Sequence, residues 1–359
     1  CFFCFNPNQE DFAYWCERPF PWRRQLDDLA AEPGSPACIA LTGGEPLLMA
    51  DEAVAFFSRA SELFPAAHLR LYTSGDLLSR ELIDRLVRAG LHEIRFSVKQ
   101  DDKPELLEKV LERMAWAREQ VPTVMVEMPV IPGTDSFMKE LLAKLDALGV
   151  DGVNLLEFAY AMWNWPVFES LGLTLRNPPQ QVMFDYTYAG ALAVQDSEED
   201  CLRLMLWARE QGLGLALHYC SLENKHRAQV RNMNEPFADI HACYAFDYDD
   251  FFLKTALAFD GDRDLVRRAL EREGCRQVLE DAEGGSLAFH PRWLSVARRA
   301  VPEPGRLCVS FNVAVDEGRS LRELKVVPAG ELSVQLTDST GSADACEPCL
   351  QGFEKSWNR

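Results

Sequence analysis

Between Ala37 and Cys220 short apolar runs alternate with longer amphipathic stretches. The runs Ala37–Thr42, His68–Thr73, Glu93–Val98, Val124–Pro129, Gly152–Phe158 and Leu213–Tyr219 have the length and composition of strands. Between them, Asp51–Phe64, Arg80–Ala89, Pro104–Glu119, Ser136–Leu148 and Ser197–Gln211 repeat their apolar residues at three and four positions, the period of a helix with one buried face. Punctuation agrees: Ser79 stands as an N-cap before Arg80, and Gly90 and Gly149 follow the last periodic residues of their helices. Strands alternating with helices of this length predict parallel strands joined by crossover helices, an α/β architecture.

One segment interrupts the rhythm. Residues 159–194 carry Trp163, Trp165, Phe168, Phe184, Tyr186 and Tyr188 together with three prolines, an insertion long enough to be a lid or a satellite cluster. Beyond Cys220 the pattern changes. Residues 221–250 read as polar and irregular. Residues 251–336 mix strand-like runs (Ser286–Phe289, Leu307–Val315, Leu332–Leu336) with a helix near Asp262–Glu273. The expected organisation is therefore an α/β domain over 1–220, a smaller α+β domain over 221–336, and a tail over 337–359.

Composition narrows the partners. The 359 residues are 47% hydrophobic and 26% charged, ordinary for a folded protein. The formal net charge of −19 repels phosphate backbones and weighs against nucleic acid. No apolar run reaches the roughly 20 residues of a membrane span. The eleven cysteines are mostly scattered, which suits reduced thiols in a cytoplasmic protein, with the close pairs Cys1/Cys4 and Cys346/Cys349 as metal candidates.

Cys1-Phe2-Phe3-Cys4 places two thiols two residues apart, a spacing shared by zinc half-sites, redox pairs and iron–sulfur ligands. Thr42-Gly43-Gly44-Glu45-Pro46 follows the first strand. Its two glycines allow close approach of a ligand to the backbone, and Glu45 brings a negative charge there. Leu71-Tyr72-Thr73-Ser74-Gly75 and Arg95-Phe96-Ser97-Val98-Lys99 end the next two strands.

With these motifs residues 1–220 resemble the radical S-adenosylmethionine (SAM) superfamily. Cys1 and Cys4 match the second and third cysteines of its C-x3-C-x2-C cluster motif, with Phe3 as the aromatic residue before the last. The resemblance puts the first cysteine four residues upstream of Cys1. It implies a partial (β/α)6 TIM-like barrel with the smaller C-terminal domain appended. It also implies a [4Fe–4S] cluster held by three thiolates, whose open iron takes the amino and carboxylate groups of SAM. One electron then cleaves SAM to a 5′-deoxyadenosyl radical that removes hydrogen from a substrate. In this pattern the backbone of Gly43 and Gly44 and the carboxylate of Glu45 receive the SAM amino group. Ser97 reaches the ribose, Lys99 meets the carboxylate, Thr73 to Gly75 line the mouth, and Glu127 and Glu157 lie where adenine is cradled. A flavodoxin- or ferredoxin-type protein would donate the electron.

Leu217-His218-Tyr219-Cys220-Ser221, followed by Lys225, ends the last strand of the alternating region. Polar groups at the carboxyl end of a parallel strand face the ligand mouth in such folds, which makes His218, Cys220 and Lys225 the catalytic candidates. Cys220 could donate a hydrogen atom, ligate a metal, form a thioether, or be a buried structural thiol. This run resembles a subfamily related to pyruvate formate-lyase activating enzymes. The expected activity is hydrogen abstraction from a small molecule or peptide. The alternative is an activase that installs a glycyl radical on a partner protein. Cys346 and Cys349 are expected to be a redox or zinc pair or a free tail, with an auxiliary cluster as the further option.

Overall fold

The computed structural model describes all residues except 9–11, 17–20, 101–103, 178–191, 282–284, 303–305, 316–319 and 331–359. The expected strand Leu332–Leu336, the Cys346/Cys349 pair and the aromatic residues Phe184, Tyr186 and Tyr188 lie outside the described residues. The chain divides into two compact units, Cys1–His226 and Arg227–Arg359.

The first unit is built on six parallel strands in the order β1-β2-β3-β4-β5-β8. These are β1 Cys38–Leu41, β2 His68–Thr73, β3 Glu93–Phe96, β4 Thr123–Val130, β5 Gly152–Glu157 and β8 Ala216–Cys220. The six apolar runs read from the sequence are these six strands, and their α/β class is as expected. A short antiparallel pair, β6 Ala159–Tyr160 and β7 Leu192–Ala193, leaves the sheet between β5 and β8. The helices Ala50–Leu63, Arg80–Arg88, Pro104–Arg118, Asp135–Ala147 and Ser197–Gln211 all send their apolar stripes into one core. That core also holds the alternate strand residues Leu69, Leu71, Ile94, Phe96, Val124, Val126, Val153 and Leu155. Successive side chains on a strand point to opposite faces. The helices thus cover one face of the sheet, and the residues between the core positions line the other. Ser79 caps its helix as expected, its Oγ accepting from the Leu82 N–H at 3.1 Å.

The segment 221–250 is not irregular throughout: Leu222–Asn234 is a helix. Its buried positions are Leu222, His226, Val230 and Asn234, a stripe at a spacing of four in which two members are polar. A stripe so poor in apolar side chains leaves almost no periodic signal in the sequence.

The second unit is an antiparallel sheet in the order β11-β12-β10-β13-β14, with β9 paired to β10. Its strands are β9 Ala245–Phe246, β10 Leu253–Phe259, β11 Leu279–Asp281, β12 Ser286–Phe289, β13 Cys308–Val315 and β14 Ser320–Pro328, accompanied by the helices Asp262–Arg272 and Leu294–Ala300. This is the α+β organisation read from the pattern, with β9, β10, β11, β14 and the helix Leu294–Ala300 added.

Candidate active site

All six parallel strands end on the same edge, and the loops that follow them carry most of the residues singled out from the sequence. After β1, Gly43 has φ +133°, a backbone conformation that side-chain-bearing residues rarely adopt. A Cβ at Gly43 or Gly44 would meet nothing within 4 Å, so this loop presents bare, exposed backbone.

Glu45 is the tie between β1 and β2. One carboxylate oxygen accepts from the Leu47 N–H at 3.1 Å and the Thr73 hydroxyl at 2.7 Å. The other accepts from the Ser74 N–H at 2.7 Å and the Ser74 hydroxyl at 2.8 Å. A carboxylate offers about four acceptor directions, and this one fills them with chain donors. Thr73 passes the constraint on, its Oγ1 accepting from the Gly75 N–H at 3.0 Å. Gly75 is confined by the Phe96 ring, which lies 2.8 Å from where a Cβ would sit. The Ser97 N–H donates to the Thr73 carbonyl at 2.9 Å, so the exposed Ser97 starts its loop in register with the first two. Lys99 is half-buried two residues further on.

Cys1 and Cys4 form one turn, closed by the Cys4 N–H donating to the Cys1 carbonyl at 3.3 Å. Both thiols are free, Cys1 exposed and Cys4 half-buried. The turn is fastened by aromatic residues. Phe2 and Phe3 pack against a cluster of Phe158, Tyr160, Ala161, Phe168 and Val194, with Ile131 beside them. Phe158 and Ile131 directly follow β5 and β4, so the cysteine turn sits at the same strand-end edge. The Trp163 indole donates to the Cys4 carbonyl at 2.6 Å and the Asn164 amide to the Phe2 carbonyl at 2.9 Å. The described part of the aromatic insertion is therefore core and clamp for the cysteine turn.

The face of the sheet opposite the helices of the core carries a continuous polar row. His68 Nε2 lies 2.7 Å from Glu93, and Arg70 Nε lies 3.0 Å from it. Arg95 bridges Glu93 at 2.5 Å and Glu127 at 2.7 Å. Asn154 donates to Glu127 at 2.9 Å, and its amide oxygen faces His218 Nδ1 at 2.8 Å. Cys220 pairs with Leu156 two residues beyond and shares this face. Burial works to raise the Glu93 pKa, but Arg95, Arg70 and His68 outweigh it and hold the carboxylate below its usual range. Burial and the Arg95 charge push His218 below the ordinary imidazole value. Burial also raises the Cys220 thiol, and a hydrogen bond from Lys225 works against that rise.

The structure thus brings Gly43, Gly44, Glu45, Thr73 and Ser97 to one edge, and Glu127, His218, Cys220 and Lys225 to the face below it. Glu157 is not brought into either group. It points to the helix-covered face, where the Leu222 N–H at 2.7 Å and the Tyr219 hydroxyl at 3.1 Å donate to one oxygen and Arg176 lies 3.4 Å from the other. Its burial raises its pKa, against the pull of the Leu222 and Tyr219 hydrogen bonds. Sequence reasoning passed over the roles of Glu93, Arg95 and Asn154. Two ions inside the four-residue strand Glu93–Phe96 were the available signal.

The donor set fits two corners of an iron–sulfur cluster: two thiols on one clamped turn. Among the described residues no group of three His, Cys, Asp or Glu side chains could hold a metal by itself, so the set needs a further ligand. No helix among them is long and apolar enough to cross a membrane.

Residues 1–145 match the family model of the Radical SAM superfamily. A protein of Methanocaldococcus jannaschii, whose name proposes it as a glycyl-radical enzyme activating enzyme, is 24% identical over 253 residues, covering 68% of this chain and 61% of its own. The chain spans about three fifths of the length of that curated relative. Among solved structures, Streptococcus suis SuiB bound to its precursor peptide SuiA aligns with a TM-score of 0.45 at 12% identity, over 61% of this chain and 45% of that one. SuiB bound to S-adenosylmethionine aligns with a TM-score of 0.43 at 13% identity, over 61% and 47%. Residues 1–145 are thus similar to a radical SAM domain, and over 253 residues the chain is similar to a relative named for glycyl-radical enzyme activation.

Proposed function

We propose that this protein is an enzyme that cleaves SAM reductively and directs the resulting radical at a peptide or small molecule held at the strand-end edge of its parallel sheet. The observation that carries this reading is that a clamped Cys1–Cys4 turn and a bare Gly43-Gly44 backbone both lie at the strand-end edge of the parallel sheet, whose outer strand ends at Cys220. Cys1 and Cys4 would hold two irons of a [4Fe–4S] cluster, with the third ligand supplied from outside the described residues. When bound, the cluster supplies the single electron that splits the sulfonium bond.

The chain's own residues do the remaining work. Gly43 and Gly44 offer backbone to the SAM amino group. Glu45, saturated by its four donors, holds that loop against β2 and does not itself contact the ligand. Ser97 and Lys99 are the hydroxyl and cation for the ribose and carboxylate, and Glu127 borders the adenine side. Cys220 and Lys225 face the substrate. The proposed electron donor is a flavodoxin or ferredoxin, and the proposed setting is the cytoplasm.

A second reading, activation of a glycyl-radical partner protein, is favoured by the name of the Methanocaldococcus relative. Both readings are tested by anaerobic reconstitution followed by iron and sulfide determination and chromatography of 5′-deoxyadenosine. Cys4→Ala is expected to abolish the brown iron–sulfur absorbance and SAM cleavage together; turnover retained in this variant overturns the ligand assignment. Cys220→Ala is expected to leave SAM cleavage intact and stop product formation. A glycyl radical signal that appears only with a partner protein would select the second reading over the first.

A further inference from the structure

The antiparallel unit holds two thiols on one acceptor. Cys243 lies in the turn before β9, where its N–H donates to His241 Nδ1 at 3.1 Å and the Tyr244 N–H closes the turn on the His241 carbonyl at 2.9 Å. Cys275 follows the helix Asp262–Arg272: Gly274 turns the chain at φ +85°, and the Cys275 N–H donates back to the Leu270 carbonyl at 2.9 Å. These two anchored turns bring both sulfurs to the carbonyl of Gln277, which accepts from Cys243 Sγ at 3.4 Å and from Cys275 Sγ at 3.5 Å. Neither cysteine is in a disulfide. A carbonyl has two lone pairs and accepts both thiols at once, but each thiol is only a weak donor. The two differ in access. Cys243 is fully buried, whereas Cys275 lines an open cavity of about 240 Å³ with Arg267, Glu271, Arg276 and Val278. Burial pushes the Cys243 thiol up to about 11, the Cys275 sulfur adds to the rise, and an N–H from Leu279 opposes it. The thiolate is the nucleophile, so Cys243 is slow to react first. The share of the rise that comes from Cys275 vanishes once that sulfur is bonded to another sulfur and carries no charge.

We propose that Cys275 and Cys243 are a thiol–disulfide exchange pair that takes a low-molecular-weight disulfide through the cavity and ends as an internal disulfide. The Cys275 thiolate attacks one sulfur of the small disulfide. That S–S bond breaks, a mixed disulfide forms on Cys275, and one small thiol leaves with the Cys275 proton. Cys243 then attacks the Cys275 sulfur, the mixed S–S bond breaks, and the second small thiol leaves with the Cys243 proton. The two cysteines lose two electrons and two protons, and the small disulfide gains them. Position sets the roles: the thiol on the cavity meets the reagent, and the buried thiol resolves the adduct. Bond formation brings the two sulfurs to about 2 Å of each other and takes both off the Gln277 carbonyl. The bond joins the turn before β9 to the segment after the helix, within the second unit, and is independent of SAM chemistry.

The test treats the full reduced chain anaerobically with oxidised glutathione, quenches it by alkylation and maps the cysteines by peptide mass spectrometry. The expected product is a peptide pair joined through Cys243 and Cys275 and returned to separate thiols by dithiothreitol. Calorimetry should show the transition of the second unit raised by roughly 10 °C in the joined form, since a cross-link restricts the unfolded chain. In Cys243→Ser the reaction should stop at one glutathione on Cys275. In Cys275→Ser, Cys243 should take up no glutathione until the chain is unfolded. Recovery of Cys243 and Cys275 as unlinked thiols, while the exposed Cys1 and Cys38 carry glutathione, overturns the proposal. So does a Cys243 adduct formed at an undiminished rate in folded Cys275→Ser, which would make the buried thiol the point of entry. The wild-type map decides the pairing by itself, so the proposal can be refuted even where a variant folds poorly.

Discussion

Glu45 shows how one side chain can spend its charge on tying two loops of its own protein together. Its two oxygens accept from Leu47, Thr73 and both donors of Ser74, so the loops after β1 and β2 behave as one piece. Glutamine at this position keeps the shape but replaces one oxygen by a donor. Either the Leu47 or the Ser74 backbone N–H then faces an NH2 group and loses its acceptor, a cost of about 1–3 kcal/mol for a buried donor. Glu45→Gln is therefore expected to lower the denaturant midpoint of the first unit by that order and to weaken SAM binding through the displaced Gly43-Gly44 backbone. Urea unfolding and equilibrium dialysis with SAM measure the two effects. Full stability with lost binding would instead make Glu45 a direct ligand.

At the scale of elements, the short helix Trp165–Ser170 and the strand β6 before it matter for what they hold. Phe168 is fully buried, stacked on Tyr160 at 4.6 Å and Phe158 at 5.4 Å and edge-on to Phe2 at 5.3 Å. Truncating it leaves a cavity directly under the cysteine turn, and Phe→Ala changes in a core cost about 3–5 kcal/mol. Phe168→Ala should thus destabilise the first unit by that order and raise amide hydrogen exchange across residues 1–8, measured by mass spectrometry. Unchanged exchange there would mean the Trp163 and Asn164 hydrogen bonds carry the turn unaided. The aromatic residues were visible in the sequence, but their partner was not, because the strands β1 to β5 all lie between Phe2 and Phe168 in the chain. The polar row was hidden for the same reason. It joins His68 to His218 across five strands, and each strand contributes one or two of its members. The glycine loop after β1 and the cysteine turn, by contrast, are contiguous in the chain and were legible at once. In β10, the residues Leu253–Phe259 lack the alternation that marks a half-exposed strand, six of the seven being buried. Continuous burial removes the period of two on which strand recognition depends.

At the scale of the whole molecule, each unit owns its core. Among the described residues, the main core of the first unit contains none beyond Tyr219, while Phe252, Leu253, Leu287, Phe289, Val309 and Phe311 are buried in the second. The second unit also buries a charge: Lys254 on β10 lies 2.6 Å from both Asp247 and Asp250, with its ammonium 4.7 Å from the centre of the Phe311 ring. Removing one partner from a buried ionic cluster leaves the others uncompensated, at a cost of about 3–5 kcal/mol. Lys254→Met should therefore lower one calorimetric transition, that of the second unit, and leave the transition of the parallel-sheet unit in place. The loss should depend on pH with a definite sign. Burial already raises the Asp250 carboxyl, and without the lysine both carboxyls favour the protonated form in the folded state more strongly. A carboxyl raised by folding stabilises below its folded pKa and costs stability above it. The Lys254→Met deficit should accordingly be largest at neutral pH and shrink as the pH falls toward about 4, near the ordinary carboxylate range, whereas a deficit independent of pH would trace the effect to lost packing of the lysine stem on Phe311.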